Sequence, residues 1–409
     1  MLLPLRSKNS NTFCISAMFW LAGIENLQTY RLVGRTGVAN LPLHGGKAPS
    51  WLTGRMRKLA KEISRIIIAE QGISKFIERL SDPFWFQALG CVLAYDWHSS
   101  GVTTVVTGIL KGALSPENHG VGVCGGKGKT SRKAPSDIIA IGEKFGFSQQ
   151  TINDLIYTSR MTAKVDNTAI QAGYQLYHHA FILTKDEEWA VVQQGMSNQD
   201  QSARRYHWLS KKTQCFVEEP HNAIVGSMKR ERVLNMVAKT SEAARKASVD
   251  LSKEPPQKLM NLIQSTAKPL NQTSLNEWIP KTADPWQQTL TTLNMPCNIN
   301  WNTLSRIYEF QPSNYEELLS LKGVGPATVR GLALVSELIY GEEPSWEDPV
   351  KFSFAFGGKD GVPYPVNRKA MDESIQILKQ SVEEAKISEK EKKQSLQRLR
   401  SYIPEHTSS

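Results

Sequence analysis

The sequence predicts a mixed α+β or α/β domain followed by an all-helical domain. Strand patterns lie in the first half, where Phe181 to Leu183 and Trp189 to Met196 flank the polar residues 184–188 and predict a β-hairpin. From about Pro220 onward the strand patterns disappear and helical patterns follow. The 409 residues are enough for two or three domains, each with a core of its own. Strands followed by runs of helices are typical of this arrangement.

The first half contains several predicted elements. Residues 52–80 carry apolar side chains at helical spacing and predict a surface helix. Phe84 to Tyr95 predicts a buried helix, and the β-branched run Thr103 to Leu110 fits either a strand or a buried helix. The glycines and basic residues of Gly120 to Lys133 predict a loop, and Val165 to His179 predicts a helix.

In the second half, His221 to Asp250 predicts a strongly basic helix, and residues 252–285, with several prolines, predict a linker or loose turns. Helices are expected again around 286–341, and Ala370 to Ile403 predicts a charged amphipathic helix or helix pair. We expect five segments: a poorly structured extension (1–34), a mixed domain with the active site (35–219), a basic helix and linker (220–285), a helix-hairpin-helix region (286–345), and a C-terminal loop with an amphipathic helix (346–409).

The composition is typical of a cytoplasmic protein with a polyanionic partner. The formal charge is +10 and the pI about 9.2. The five cysteines include no C-x-x-C pair, which argues against a disulfide framework and against a zinc ribbon. No apolar run reaches the roughly 18 residues of a membrane helix, so we expect no membrane partner. The short apolar run from Phe13 to Gly23 resembles a signal peptide, but polar residues interrupt it and the extension is preferred.

The segment Leu318 to Leu332, LLSLKGVGPATVRGL, predicts a helix-hairpin-helix with Gly323-Val324-Gly325 as its turn. Glycine permits unusual backbone angles there, and the missing Cβ lets the backbone approach a phosphate. The first amides of the second helix can hold a phosphate oxygen, which binds DNA without reading its sequence. Val329 stands where the motif usually has alanine, and an ordinary interhelical turn is the alternative. The expected DNA contacts are Lys322, Gly323, Gly325, Thr328 and Arg330.

The glycine-rich segment VCGGKGKTSRKAP, from Val123, predicts a flexible basic loop that contacts phosphates. A P-loop is one alternative, because Gly128-Lys129-Thr130 ends like one. That motif needs glycine at position 123, which is Val123, and no strong strand pattern leads into the loop. A solvated surface loop is the other alternative. The expected phosphate contacts are Lys127, Lys129, Arg132 and Lys133.

Histidines and carboxylates collect in the first half and suggest a metal-dependent nuclease. Asp96 and His98 lie two residues apart after an apolar helix, where both could bind Mg²⁺ or Mn²⁺. Asp166, His178 and His179 lie at the ends of the predicted helix and complete the candidate catalytic group. The spacing matches no strong metal motif, and a structural or surface role is the alternative for each histidine.

Two further groups of residues are candidates. Gln193 and Gln194 could reach base edges from a strand, Arg204 and Arg205 could reach phosphates, and Tyr206 could stack on a base. A hairpin with one polar face explains the same residues.

Asp348 lies 23 residues after Gly325, broadly where helix-hairpin-helix glycosylases carry a catalytic aspartate. A helix-capping aspartate is the alternative.

Several blocks resemble an uncharacterised family of archaeal and bacterial proteins classed as a domain of unknown function. They include RTGVANLPLHGGKAPSWL from Arg35, AYDWHSSGVTT from Ala94, VVQQGM from Val191, FVEEPH from Phe216 and SFAFGGKDGVPYPVNR from Ser353. The resemblance runs from about Arg35 to the C-terminal helix and leaves residues 1–34 outside. It implies a shared DNA-related role and no particular chemistry.

Three functional hypotheses follow. The first is a metal-dependent nuclease acting on single-stranded or branched DNA in repair or recombination. The second is a non-catalytic, sequence-independent DNA-binding protein, and the third is a base-excision enzyme that uses Asp348. A nuclease should bring at least three of its candidate catalytic residues together, whereas a glycosylase should turn Asp348 toward a pocket beside the hairpin.

Overall fold

A five-stranded antiparallel sheet forms the centre of the molecule. The computed structural model describes residues 50–93, 100–226, 229–266, 294–296, 299–350 and a few positions between 383 and 393. The strands are β1 (Val121–Lys127), β3 (Gln175–Thr184), β4 (Trp189–Ser197), β5 (Ser202–Leu209) and β6 (Ala223–Gly226), and they lie in the order β1-β3-β4-β5-β6. Two short strands, β2 (Ile170–Gln171) and β7 (Leu234–Asn235), pair separately as a second antiparallel sheet.

One layer of helices covers one face of the central sheet. It consists of α1 (Ser50–Gln71), α2 (Ile73–Ser81), α3 (Pro83–Val92) and α4 (Gly101–Ala113), followed by the single turn α5 (Pro116–His119). Their apolar side chains pack on the alternate strand residues Ala180, Ile182, Ala190 and Val192. Because successive strand residues point to opposite faces, the intervening residues belong to a second core.

That second core joins the other face of the sheet to the C-terminal helices. Phe181, Val191 and Trp208 pack there against α6 (Ala134–Phe145) and α7 (Gln149–Lys164). The same core continues into the remaining helices, which are α8 (Glu242–Ser252), α9 (Pro256–Thr266), α10 (Trp301–Phe310), α11 (Tyr315–Ser320) and α12 (Pro326–Tyr340). The sheet is therefore buried on both faces, and every residue of β5 is buried.

Much of the predicted architecture is confirmed. A helix-and-strand region precedes a helical one, the sheet is antiparallel, and the β3–β4 hairpin lies where it was predicted. The segment Thr103 to Leu110 is helical, as part of α4. In the part of the chain that the structure describes, no helix is long and apolar enough to cross a membrane. The predicted extension (1–34) and most of Ala370 to Ile403 lie outside the described residues.

Several predicted elements are wrong. Residues 121–127 of the predicted loop form β1, and Gly128–Lys133 form a 3₁₀ helix. At Gly122 the neighbouring helix leaves no room for a side chain, because a Cβ there would lie 2.6 Å from Ile141 Cδ1 of α6. The predicted helix Val165 to His179 is a π turn, Val165–Ala169, followed by β2 and the start of β3.

Strands also continue past Pro220, as β6 and β7. The predicted helix over His221 to Asp250 begins only at Glu242. These short strands are set by pairing with distant partners, Ala223 with His207 and Asn235 with Ile170, which local composition does not reveal.

Candidate functional site

Three neighbouring strands carry consecutive polar residues at one level of the sheet. His178 lies opposite Gln194 and His179 opposite Gln193, while Gln194 and Gln193 in turn lie opposite Arg205 and Tyr206. Because side chains alternate between faces, each face receives one polar row. The row formed by His178, Gln194 and Arg205 faces α4, and the row formed by His179, Gln193 and Tyr206 faces α7.

The row that faces α4 is buried and hydrogen-bonded to that helix. His178 Nε2 lies 3.0 Å from Thr107 Oγ1, and Gln194 Nε2 donates to Ser100 O at 2.9 Å. Arg205 Nη2 donates to Gln87 Oε1 at 3.0 Å. Burial, with help from neighbouring His179 and Lys127, lowers the pKa of His178 to about 3, so its imidazole is neutral. No described residue bonds His178 Nδ1.

The other row is organised around Asp166, which is fully buried in the π turn. Its carboxylate accepts hydrogen bonds from Gln193 Nε2, from His221 Nε2 and, at 3.0 Å, from Trp208 Nε1. His179 contacts Gln193 Oε1 at 2.7 Å through Nδ1, and burial lowers its pKa. His221 is the member of this group that sequence reasoning missed, because it lies 55 residues from Asp166.

The predicted catalytic residues are divided by the sheet. Asp166 and His179 lie on one side of it and His178 lies on the other. Asp96 and His98 lie outside the described residues. Within the described ranges, no group of three or more histidine, cysteine, aspartate or glutamate side chains could hold a metal ion. The metal site built on Asp96 and His98 therefore stays a prediction.

The β5 side chains that were predicted to contact DNA are instead buried inside the protein. Arg204 is fully buried, and its Nη2 donates to Asp348 Oδ2 at 2.6 Å. Asp348 also accepts from the backbone N–H groups of Arg230 at 2.7 Å and Val350 at 3.1 Å. Arg205, Gln193 and Gln194 are equally buried. In this structure none of these side chains is presented to a phosphate or a base edge, and the Asp348 carboxylate is held by three donors.

The glycine-rich segment is held in place by hydrogen bonds from neighbouring helices. Gly125 has a φ of 79°, and a Cβ there would lie 2.3 Å from His179 O. Its N–H donates to Asp137 Oδ2 at 2.9 Å, and its carbonyl accepts from Lys111 Nζ at 2.8 Å. Contrary to expectation, a strand does lead into the loop, and α6 follows it. The antiparallel sheet and Val123 still separate it from a P-loop.

Residues 127–133, which are the end of β1 and the 3₁₀ helix after it, present a group of cations. We call this segment the basic loop. All four side chains are exposed, and no ion pair between described residues involves any of them. The four are Lys127, Lys129, Arg132 and Lys133. Lys127 Nζ also lies 6.0 Å from the ring centroid of Tyr177.

The segment predicted as a hairpin forms α11, a turn over residues 321–325, and α12. Its two glycines have different roles. Gly323 has a φ of 100°, and a Cβ there would lie 2.6 Å from Thr303 Oγ1, so the turn itself requires glycine. Gly325 has an extended φ of −135°, and the nearest atom to an added Cβ is Gly323 O at 3.8 Å. The fold does not require glycine at 325.

Behind the turn, the N-terminus of α12 is uncapped. No side chain caps it, Pro326 occupies its first position, and its first helical bond runs from Val329 N to Gly325 O at 3.0 Å. The amides of Ala327 and Thr328 therefore have no acceptor within the helix. Lys322 is exposed, whereas the Thr328 side chain is buried and can contribute only its amide.

The turn is fixed to the segment that leads into β3. Gln171 Nε2 donates to Pro326 O at 2.9 Å, and Lys164 Nζ donates to Leu321 O at 3.1 Å. Arg330, expected to flank a phosphate, instead donates to Gln171 Oε1 at 2.9 Å and to Asn294 O at 2.8 Å. Its guanidinium therefore positions the turn.

Comparison with known proteins gives a single result. No curated protein and no solved structure matches the chain. A family model described as "Protein of unknown function (DUF763)" matches residues 37–366, which is most of the 409 residues. The chain therefore belongs to the DUF763 family of proteins of unknown function.

Proposed function

We propose that this protein binds DNA through the sugar–phosphate backbone, without reading its sequence, and that residues 315–340 act as a helix-hairpin-helix. The observation that carries the proposal is the uncapped N-terminus of α12 behind the turn. Ala327 and Thr328 offer amides without a helical acceptor, and Gly325 leaves the approach to them open. Backbone amides at a positive helix end are suited to a phosphate oxygen.

The basic loop supports the same proposal. Its exposed cations follow Gly125 and Gly126, at the point where β1 ends beside His178. The hairpin is tied to Lys164 at the end of α7 and to Gln171, which lies four residues before β3 begins. Both features thus attach to the segment that enters β3, so one DNA backbone could contact both. Such contacts carry no sequence information.

Salt dependence of DNA binding tests this proposal. Each neutralised phosphate adds about 0.9 to the negative slope of log affinity against log salt. Changing Lys127, Lys129, Arg132 and Lys133 to glutamine should therefore make the slope shallower by up to about 3.6. Affinity for unrelated sequences should be similar. A shallow slope in the wild type, or a strong preference for one sequence, would contradict the proposal.

A control for charge alone is available in the same chain. Four lysines, of which Lys253 is half-buried and the others are exposed, each already pair with a carboxylate: Lys144 with Glu117, Lys246 with Glu242, Lys253 with Asp250, and Lys258 with Glu254. Changing these four to glutamine removes the same formal charge. The slope should then stay close to that of the wild type.

A second candidate, a metal-dependent nuclease acting on single-stranded or branched DNA, is favoured by one observation. His178 Nδ1 is buried without a described partner, in the polar row whose Gln194 donates to Ser100 O. Asp96 and His98 lie four and two residues before Ser100 in the chain. Such residues could bind Mg²⁺ or Mn²⁺ beside a bound phosphate.

Incubating labelled DNA of each form with Mg²⁺, Mn²⁺ or EDTA tests this candidate. Asp96→Asn should abolish metal-dependent cleavage and leave DNA affinity nearly unchanged, because it removes a hard anionic ligand and keeps the shape. A stable Asp96→Asn variant that still cuts DNA would remove this residue from the site.

A further inference from the structure

A series of buried hydrogen bonds runs from α7 along one face of the sheet to a surface cleft. Ser159 Oγ lies 2.8 Å from His179 Nε2, and His179 Nδ1 lies 2.7 Å from Gln193 Oε1. Gln193 Nε2 then contacts Asp166, and Asp166 contacts His221. His221 is the member of this chain that lines the cleft.

The chemistry of these groups fixes each proton in the chain. Asp166 and the carbonyl of Thr162 only accept hydrogen bonds, so the Gln193 amide nitrogen faces both. Gln193 Oε1 must then receive a proton from His179 Nδ1. At the other end, the carboxylate of Asp166 requires the proton of His221 to lie on Nε2. With that proton on Nε2, Nδ1 is the ring nitrogen of His221 that remains available to a ligand, and no described residue bonds it.

The cleft has a volume of about 230 Å³, and its walls combine apolar and hydrogen-bonding groups. Ile224 and Val237 supply apolar surface, and His221 and Asn235 supply polar atoms. At the rim stand Glu219, Glu347 and Lys239, all exposed. Glu219 has a φ of 41° in the left-handed region, and its N–H bonds to Val237 O at 2.7 Å. The hydrogen bond to Val237, in the wall of the cleft, thus holds this strained backbone conformation two residues before His221.

The cleft and the hairpin share the small β2–β7 sheet. Asn235 of β7 lines the cleft and pairs with Ile170 of β2, while the adjacent Gln171 holds Pro326 of the turn. Paired strands lie only about 5 Å apart. The cleft and the hairpin are therefore attached to the same pair of strands.

We propose that this cleft binds an unpaired nucleobase of the DNA strand held at the hairpin, with His221 Nδ1 accepting a hydrogen bond from a base N–H. The inference rests on the proposed function, and it names an unpaired base as a second part of the DNA that the protein contacts. The rim carries two carboxylates against one ammonium, and Asp348 in the wall is neutralised by Arg204. A phosphate is disfavoured in such surroundings. A neutral planar ring with N–H donors meets both the apolar walls and the acceptors.

Duplexes that carry one 2-aminopurine, either paired with thymine or mismatched with cytosine, test the proposal. The base leaves the stack at low cost only in the mismatch. The full-length wild type should bind the mismatched duplex about tenfold more tightly, as expected for one base contact. Thr240→Trp places a large side chain at the exposed rim of the cleft and should reduce this preference to less than about twofold.

The matched control is Gln149→Trp, which adds the same side chain at an exposed position on α7 outside the cleft. It should keep the preference. Equal preferences in the two tryptophan variants would overturn the proposal, and so would a wild type that binds both duplexes equally.

Free nucleosides separate this inference from the proposed function. Saturation-transfer NMR with deoxyadenosine, deoxycytidine or deoxyguanosine should show a signal in the wild type that Thr240→Trp removes. If the wild type binds no DNA, the proposed function fails, and this signal alone still supports a base site in the cleft. If Thr240→Trp changes neither the preference for mismatched DNA nor the signal of any nucleoside, the proposed base site is wrong.

Discussion

Three neutral histidines inside the sheet region should make the protein sensitive to mild acid. Burial lowers the pKa of His178 to about 3, lowers that of His179, and lowers that of His207 well below its ordinary value. His207 is fully buried beside Arg205, which adds to the shift. In the unfolded chain all three should titrate near pH ~6.5. Below that pH, unfolding therefore takes up protons that the native state binds less readily.

The sign and size of the effect follow from this difference. A histidine whose folded pKa is lowered stabilises the fold above its unfolded pKa, and this contribution is lost as the pH falls toward the folded value. Between pH ~6.5 and ~5.5 the loss is about 1 kcal/mol each for His178 and His207, or about 2 kcal/mol together, and the lowered pKa of His179 adds to it. The melting temperature should fall by at least about 4–8 °C at 2–4 °C per kcal/mol.

Thermal and guanidinium unfolding at several pH values between those limits measures this loss. His178→Gln keeps a hydrogen-bonding side chain near Thr107 but cannot titrate, so its acid-induced loss should be about 1 kcal/mol smaller than in the wild type. A melting temperature that does not change over this range would refute the lowered pKa values of these buried histidines. An unchanged slope in His178→Gln would exclude His178 from that set.

Two further substitutions test the packing around the site by chemical denaturation. Gly323→Ala should lower the free energy of unfolding by about 1–3 kcal/mol, because the left-handed φ and the contact with Thr303 both oppose a Cβ. A denaturation curve equal to that of the wild type would contradict the turn geometry. Asp348→Asn should cost about 3–5 kcal/mol, since it leaves the fully buried Arg204 without its counter-ion. Arg204→Met in the same chain should recover part of that loss, and a fully additive loss would show that the two side chains are not coupled.

The elements predicted correctly are those with a strong local signal. The β3–β4 hairpin has two apolar runs around a polar turn, and α3 is apolar on nearly all sides. β1 was missed because its glycines are imposed by neighbours that follow later in the chain, such as Ile141 beside Gly122 and His179 O beside Gly125. The helix predicted up to His179 was wrong for a similar reason: pairing of β3 with β1 and β4 overrides the local pattern.

The candidate site was predictable only in part. Gly325, expected at a helix start, precedes α12, and the cations expected in a loop are exposed at the end of β1 and in the 3₁₀ helix that follows it. Arg204 and Arg205 also look like phosphate contacts, but β5 is buried on both faces, and Asp348 lies 144 residues from Arg204. The pairing of Asp166 with His221 likewise depends on tertiary structure and leaves no spacing signature.

Titration of fluorescently labelled DNA with the wild type and with Gly325→Val tests the central claim most directly. An added Cβ at 325 meets nothing closer than 3.8 Å and the backbone there is extended, so the variant should fold with a melting temperature within a few degrees of the wild type. The side chain would keep a phosphate away from the amides of α12, and affinity should fall about tenfold, as for the loss of one or two charge-assisted hydrogen bonds. A folded Gly325→Val variant that binds DNA as tightly as the wild type would show that the turn only joins two helices.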